Sequence, residues 1–276
     1  MSTQVEPMGL SDELVQQYHE EGFIFPDERL LSEEEIQDLL NEVDRICSGE
    51  TKVPPFLVQL ENFKSTEDEQ PTEENPIRKL QSMSYVVPAF EKLARDPRIV
   101  DKVESILGPN IKLYTDEYFC KNPARDGKAF NPYRWHQDAT GYNFFAPLDN
   151  VITCWIALDR ATPENGCMQF IPKSHIYGSI PVQRRASFLK HPILADPIYA
   201  PIEPGCAVFH HGLNFHGSDS NQSDKSRRAI AFHYMRADTL YLGIEEESQR
   251  KVTQVGNLGN DFRFMLIRGQ EIECRV

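Results

Sequence analysis

Apolar positions along the chain follow two regimes. Up to about residue 107 they recur with a helical period, and beyond it they gather into short β-branched or aromatic runs. Ile36, Leu39, Leu40, Val43 and Ile46 lie three and four apart, which puts them on one face of a helix over Glu33–Ile46. Ser32 and Glu35 form a capping box at its start. An earlier helix is predicted from Ser11 to Glu21: Ser11 suits the N-cap, Asp12 and Glu13 suit the first turn, and Gly22 stops it. Leu14 and Tyr18 share its inner face, and Phe23-Ile24-Phe25 follows as a short buried strand bounded by Pro26. A third helix is predicted over Pro97–Leu107, capped by Asp96, entered by Pro97 and ended by Gly108-Pro109.

Between residues 49 and 78 the periodicity disappears. Pro54, Pro55, Pro71 and Pro76 interrupt the stretch, and Glu67-Asp68-Glu69 adds an acidic run. So long a segment without pattern reads as a lid or a disordered loop, with Phe56-Leu57-Val58 available to close over a ligand. Strands are predicted over Ile111–Cys120, Val151–Leu158, Met168–Ile171, Ala207–His210 and Arg228–Met235. Helices first and a double-sheet β core afterwards predict an α+β chain: a jelly roll, or double-stranded β-helix, with flanking amino-terminal helices. We read residues 1–276 as one domain, with helical support and a lid in 11–110, the jelly roll in 111–236 and an extension in 237–276. In that extension Phe262, Phe264, Met265 and Leu266 are expected to pack either on the barrel or on a second copy of the chain in a homo-oligomer.

The net charge of −13 argues against nucleic acid or anionic membrane as partner, since both need a basic surface. It also means that a pocket for an acidic small molecule must be basic locally. No stretch approaches the ~18–20 apolar residues of a membrane span. The six cysteines are scattered without a Cys-x-x-Cys pair, and the first ten residues carry neither a basic cluster nor an apolar run, so a cytoplasmic protein is expected. The glycosylation pattern at Asn221 is then a coincidence, and the final Glu-Cys-Arg-Val is not the peroxisomal tripeptide.

The candidate chemistry centres on Trp135-His136-Gln137-Asp138. Residues two apart on a strand share a face, so His136 and Asp138 offer one imidazole and one carboxylate together, two thirds of a 2-His-1-carboxylate iron site. Alone, such a pair is more often a coincidence. His210, His211 and His216 are the downstream candidates for a third ligand, and spacing does not choose among them. Context favours His216, which precedes Gly217-Ser218 at the end of the segment begun by Ala207-Val208-Phe209. Arg227, eleven residues later, leads into an apolar strand. An arginine inside a barrel is costly unless it meets a carboxylate. A dicarboxylate co-substrate that chelates metal at one end and meets Arg227 at the other answers both needs. Arg228 should face away from Arg227, and His233 reads as a core histidine. His175 contacts the pocket or makes a structural hydrogen bond, and Trp155 lines it or packs the core. Lys173, Arg184 and Arg185 read as a solvated patch or as contacts for an anionic substrate.

Taken together these segments resemble the phytanoyl-CoA dioxygenase family of iron(II)- and 2-oxoglutarate-dependent oxygenases. The resemblance is carried by Tyr18-x-x-x-Gly22-Phe23, His136-Gln137-Asp138, Cys154–Leu158, Glu164–Met168, Ile171–His175, His216-Gly217-Ser218 and Ser226–Ala229, with Lys173 where a glycine is usual. It spans roughly residues 11 to 236. It implies a cupin-like core in which His136, Asp138 and His216 hold Fe(II). Arg227 and Ser218 would bind the distal carboxylate of 2-oxoglutarate, and Gln137 and Trp155 would line that pocket. O2 would be consumed, ascorbate is a candidate reductant, and a small-molecule C–H bond would be hydroxylated with release of succinate and CO2. Asp138, in place of a glycine or alanine, argues against a halogenase. Two other classes compete: a catalytically silent metal- and 2-oxoglutarate-binding module, and a zinc hydrolase, which would not need Arg227. Substrate contacts are expected from 49–78, 139–150, 176–200 and the tail, where Tyr142, Phe144 and Phe145 suggest an apolar wall.

Overall fold

The structure is a computed structural model. It describes residues 9–64, 69–124, 129–130, 132–141, 145–146, 150–241 and 264–272, without the side chains of 140, 141, 145, 146, 240 and 241. In order, the chain forms α1 (Asp12–Glu21), β1 (Phe23–Ile24), α2 (Glu33–Cys47), β2 (Val58–Leu60), β3 (Ile77–Gln81), α3 (Pro88–Ala94) and α4 (Pro97–Leu107). It continues with β4 (Ile111–Lys121), β5 (Tyr133–His136), α5 (Asp138–Gly141), β6 (Phe145–Ala146), β7 (Val151–Ala157), β8 (Met168–Phe170) and α6 (Val182–Phe188). The last elements are β9 (Ile198–Ala200), β10 (Ala207–His211), β11 (His216–Ser218), β12 (Arg227–Arg236), β13 (Leu240–Tyr241) and β14 (Met265–Arg268).

The helix signals act as expected. The Ser11 side chain accepts from the Leu14 N–H, and Gly22 ends α1 in the left-handed region at φ 86°. A Cβ at Gly22 would lie 2.5 Å from both Asn214 Nδ2 and His175 Nδ1, so close packing as well as conformation requires glycine there. Ser32 and Glu35 form the full capping box of α2. Arg98 reaches from α4 to the same Glu35 carboxylate, at 2.6 and 3.1 Å. The α2 stripe Ile36, Leu39, Leu40, Val43 and Ile46 is buried throughout.

Two antiparallel sheets make the jelly roll. The larger runs β1-β10-β7-β12-β4-β3-β2, with β14 also on β4, and the smaller runs β5-β11-β8-β9. Side chains alternate across each strand, and the larger sheet is covered on both faces, so nearly every residue of its central strands is buried. One face is helical core: Ile152, Cys154, Ile156, Phe209, Ile230, Phe232 and Tyr234 pack with the apolar sides of α1, α2, α3 and α4. The other face meets the small sheet: Trp155, Ala157, Val208, Ala229 and Ala231 pack with Cys167, Met168 and Phe170. The same strands point Arg227, His233, Thr153 and His210 into that inner space.

Several expectations change. The stretch 49–78 is not structureless. Residues 55–57 form a 3₁₀ turn, and β2 and β3 make a hairpin that extends the larger sheet along β4. Leu57 and Val58 are core residues, not groups free to close over a ligand. Pro54 and Pro55 precede β2 and Pro71 and Pro76 lie in the connection to β3, so none interrupts a strand, and strands of three and five residues carry too little periodicity to be seen. The seven-residue α3 escaped notice for the same reason. In the tail, β14 pairs with β4 and Phe264 packs on Tyr114 at 5.6 Å, so this part of the extension lies on its own barrel. Phe262, Tyr142 and Phe144 lie outside the described residues, as does the side chain of Phe145.

If the outer face carries stability, Leu40→Ala should lower the free energy of unfolding by ~2–5 kcal/mol while leaving metal affinity unchanged. Urea unfolding followed by circular dichroism, with a chelator titration alongside, checks both.

Candidate metal and co-substrate site

The site is built where the two sheets meet. His136 ends β5 and His216 begins β11, and the two are directly paired across the small sheet. Asp138 is not on the strand, contrary to expectation. β5 stops at His136, and Asp138 opens the short α5 turn, whose next residue, Ala139, donates its N–H to Gly212 O at 2.8 Å. The carboxylate still meets both imidazoles. Asp138 Oδ1 lies 3.5 Å from His136 Nε2 and 3.4 Å from His216 Nε2. Among the described residues these are the only three His, Cys, Asp or Glu side chains whose ligand atoms gather within 4.8 Å.

Each histidine is oriented by its other nitrogen. His136 Nδ1 is 2.7 Å from Arg134 O and His216 Nδ1 is 3.0 Å from Asn214 O, so each Nδ1–H donates to a carbonyl and each Nε2 lone pair faces Asp138. Burial, then His216, holds the His136 pKa below its usual value, which keeps the ring in its neutral, ligating form. Asp138 is 7% exposed. Burial disfavours its charge, yet His216 and His233 outweigh burial and hold its pKa well below the carboxylate range.

A polar row crosses the larger sheet behind Asp138. His210, Thr153 and His233 are register partners on β10, β7 and β12. The Thr153 hydroxyl donates to Asp138 Oδ2 at 2.7 Å and lies 2.9 Å from His233 Nδ1. His210 Nε2 lies 3.8 Å from the same carboxylate oxygen, and His210 Nδ1 is buried without a hydrogen-bond partner among the described residues. Burial lowers the pKa of His233, but Asp138 and Glu117 raise it to about 9. The sequence offers no local signal for Thr153, ranks His210 below His216 as a ligand and reads His233 as a core histidine. The available signal was parity: each sits an even number of residues from an inward-facing Trp155, Val208 or Ala231.

The cavity in front of the triad extends to Arg227. Arg227 is 2% exposed. Its Nη2 donates to Gly166 O at 3.0 Å, its Nε has no hydrogen-bond partner, and no ion pair involves it among the described residues. Its guanidinium carbon sits 5.4 Å from the Trp155 ring centroid. Burial pulls its pKa down to about 10, which leaves it cationic at neutral pH. Gly166 is strictly required in this wall. It sits at φ 75°, and a Cβ there would lie 2.3 Å from Asp219 O. Trp155 and Ser218 line the same cavity.

Gln137, expected to line it, does not. Its amide nitrogen donates to Gly178 O at 2.8 Å and Leu213 O at 2.7 Å, and its amide oxygen accepts from Ile180 N–H at 2.9 Å. The chain turns after His136, which sends Gln137 into the loop packing instead. Arg228 faces outward to Asp159. His175 bonds His19 O at 3.0 Å and Lys173 pairs with Glu21, so both are structural contacts to α1. Arg185 reaches the Trp135 carbonyl at 3.5 Å.

The donor set fits a divalent iron: two neutral imidazoles and one carboxylate, with positions left open toward the cavity. The orphaned, buried Arg227 fits the far carboxylate of a dicarboxylate bound in that cavity. Fold and site together define a non-haem iron, 2-oxoglutarate-dependent oxygenase. The chain belongs to the phytanoyl-CoA dioxygenase (PhyH) family, whose model matches residues 18–229. It is 28% identical to the peroxisomal phytanoyl-CoA dioxygenase of Rattus norvegicus over 247 residues, covering 86% of this chain and 72% of that one. It is also 28% identical to the methylphosphonate hydroxylase of Gimesia maris, covering 82% of this chain and 80% of that one. Among solved structures, the carbocyclase SnoK from nogalamycin biosynthesis superposes with a TM-score of 0.69 at 24% identity, covering 94% and 96% of the two chains. EctD from S. alaskensis, solved with 2-oxoglutarate and 5-hydroxyectoine, superposes with a TM-score of 0.72 at 18% identity, covering 92% and 86%. These two are likenesses of fold. No helix among the described residues is long and apolar enough to cross a membrane.

Thr153→Val removes the only side-chain hydroxyl donor to Asp138 among the described residues. Metal affinity should fall roughly 10–100-fold, as for other groups that orient a ligand. Competition against a chromophoric chelator measures this, and an unchanged affinity would show that Thr153 does not set the carboxylate.

Proposed function

We propose that the protein hydroxylates a C–H bond of a small, partly hydrophobic metabolite, coupled to conversion of 2-oxoglutarate and O2 to succinate and CO2. The observation that carries this is one cavity with the His136–Asp138–His216 triad at one end and, at the other, a buried arginine that meets no carboxylate among the described residues. His136, Asp138 and His216 would hold Fe(II), which when bound supplies the redox chemistry with O2. Arg227 and Ser218 would hold the distal carboxylate of 2-oxoglutarate, and Trp155 would wall its carbon chain. Arg227 is fixed by Gly166 and by the face of Trp155 before any ligand arrives, so it needs little rearrangement to bind an anion. Thr153 and His233 hold the carboxylate of Asp138, and the apolar layer around Phe170 keeps water from the inner end.

Hydroxylation is supported by a relative named for it, the methylphosphonate hydroxylase. A partly hydrophobic substrate is supported by the basin outside His136, where Phe63 is 58% exposed beside Tyr133. Arg78, Lys79 and Arg134 share that basin. We further propose that the whole chain acts as one oxygenase domain, with the amino-terminal helices packed on the larger sheet. A cytoplasmic setting is supported by the free cysteines, two of them buried in the core.

The assay is succinate formation with Fe(II), 2-oxoglutarate and O2 across a panel of small metabolites. We expect turnover that a chelator abolishes and Fe(II), but not Zn(II), restores. Arg227→Ala should weaken 2-oxoglutarate binding by roughly two orders of magnitude, since it removes more than one hydrogen bond to a charged group. Binding without turnover on any substrate would make the protein a binding module, and hydrolysis that survives Arg227→Ala would make it a hydrolase.

A further inference from the structure

Four basic side chains surround Tyr133. The Arg78 guanidinium lies 3.9 Å from its ring centroid, Lys121 Nζ 5.2 Å and Lys79 Nζ 6.0 Å. Arg227 is close enough to act on the hydroxyl electrostatically. Two of the four are paired with carboxylates. Arg78 pairs with Glu61 at 3.1 Å, and Lys79 pairs with Glu117 at 2.8 Å. Lys121 donates to the carbonyls of Ser218 and Asp219. Arg227 donates to the Gly166 carbonyl and, among the described residues, has no carboxylate partner.

The Tyr133 hydroxyl is itself buried and has no hydrogen-bond partner among the described residues. An orphaned buried hydroxyl is costly, so it points to a bound ligand as its partner. Its position narrows the choice. Tyr133 on β5 is the register partner of Ser218 on β11, and Lys121 on β4 is the register partner of Arg227 on β12. Tyr133, Ser218 and Arg227 all line the cavity that also holds the triad. The ring is fixed from two sides, by the Arg78 guanidinium over its face and by Phe119 edge-on at 5.3 Å and 89°. The hydroxyl is therefore held in place before a ligand binds. Burial raises its pKa, so it stays protonated and can donate.

A carboxylate offers about four lone-pair directions. Arg227 and Ser218 leave some of them unfilled. We propose that the Tyr133 hydroxyl is a third donor to the distal carboxylate of 2-oxoglutarate and makes the site selective for a dicarboxylate over a 2-oxo acid that lacks the second carboxylate. This rests on the placement of 2-oxoglutarate in this cavity proposed above. The hydroxyl forms no covalent bond and moves no proton. It binds, and through binding it orients the co-substrate.

Calorimetric titration of the full chain loaded anaerobically with Mn(II) tests this, with 2-oxoglutarate and 2-oxobutyrate as probes. Both carry the metal-binding 2-oxo acid, and only the first carries the distal carboxylate. Tyr133→Phe keeps the ring, the Arg78 stack and the Phe119 contact, so it should unfold at nearly the wild-type temperature. We expect it to weaken 2-oxoglutarate roughly tenfold or more, the worth of one hydrogen bond to a charged group, and to leave 2-oxobutyrate and Mn(II) affinities unchanged. Equal 2-oxoglutarate affinity in the two proteins would overturn the proposal. An equal loss for both probes would also overturn it, since the residue would then act only through the structure. Wild-type protein that binds Mn(II) but not 2-oxoglutarate would defeat the parent reading, and this proposal with it.

Discussion

The site depends on one constraint: a carboxylate, Asp138, held almost out of solvent between two sheets. An ionised carboxylate in such a place is unfavourable unless cations or donors surround it. The chain supplies one hydroxyl, from Thr153, and a set of imidazoles. In the free protein the raised pKa of His233 lets that residue carry the compensating charge. A divalent ion between His136, His216 and Asp138 would compensate the same carboxylate more directly, because it can be ligated by all three at once. The arrangement is thus a cation site first, and its preference for iron chemistry follows from ligand type and from the positions left open.

The opposite end of the cavity poses the mirror problem. Arg227 is a buried cation without a carboxylate of its own among the described residues, in a chain whose net charge is −13. Nearby cations are balanced locally: Arg78 by Glu61, Lys79 by Glu117. Lys121, behind Arg227, is pushed down to about 6 by burial and then by Arg227 and Arg78, so little repulsion is added at neutral pH. The acidic surface therefore does not cancel the positive potential inside. A ligand with a carboxylate at one end and a metal-chelating group at the other relieves both ends together, which neither a monoacid nor a bare metal can do.

Much of this was legible in the residues. Caps and 3.6-residue periodicity located α1, α2 and α4, because each signal there is local. The central strands were found for a different reason: both faces are buried, so each reads as an uninterrupted apolar run. His136, Asp138, His216 and Arg227 lie around one cavity, although the strand argument linking the first two was wrong, since Asp138 begins a helical turn. Two residues apart in sequence brought them together through that turn rather than through strand parity. The same turn took Gln137 out of the pocket. Thr153, His210 and Tyr133 were not legible singly. Their roles arise from register between strands that lie 57 and 85 residues apart at the two pairs His210–Thr153 and Ser218–Tyr133, and long-range register is set by the whole sheet rather than by neighbours in sequence.

Strand alternation also divides labour within the larger sheet. On β12, Ile230, Phe232 and Tyr234 build the helical core, while Arg227, Ala229, Ala231 and His233 face the cavity. On β7, Ile152, Cys154 and Ile156 face the helices, while Thr153 and Trp155 face the site. The packing that fixes the backbone is thus one residue away from the chemistry, on the opposite face. That is why polar side chains can be tolerated in the middle of these strands: the outer face supplies the burial that holds the strand in register, and the inner face is released from that task. A one-residue slip would exchange the two faces, burying arginine and histidine among the helices. Register is accordingly the property that the outer core protects most strongly, and the ligand geometry follows from it.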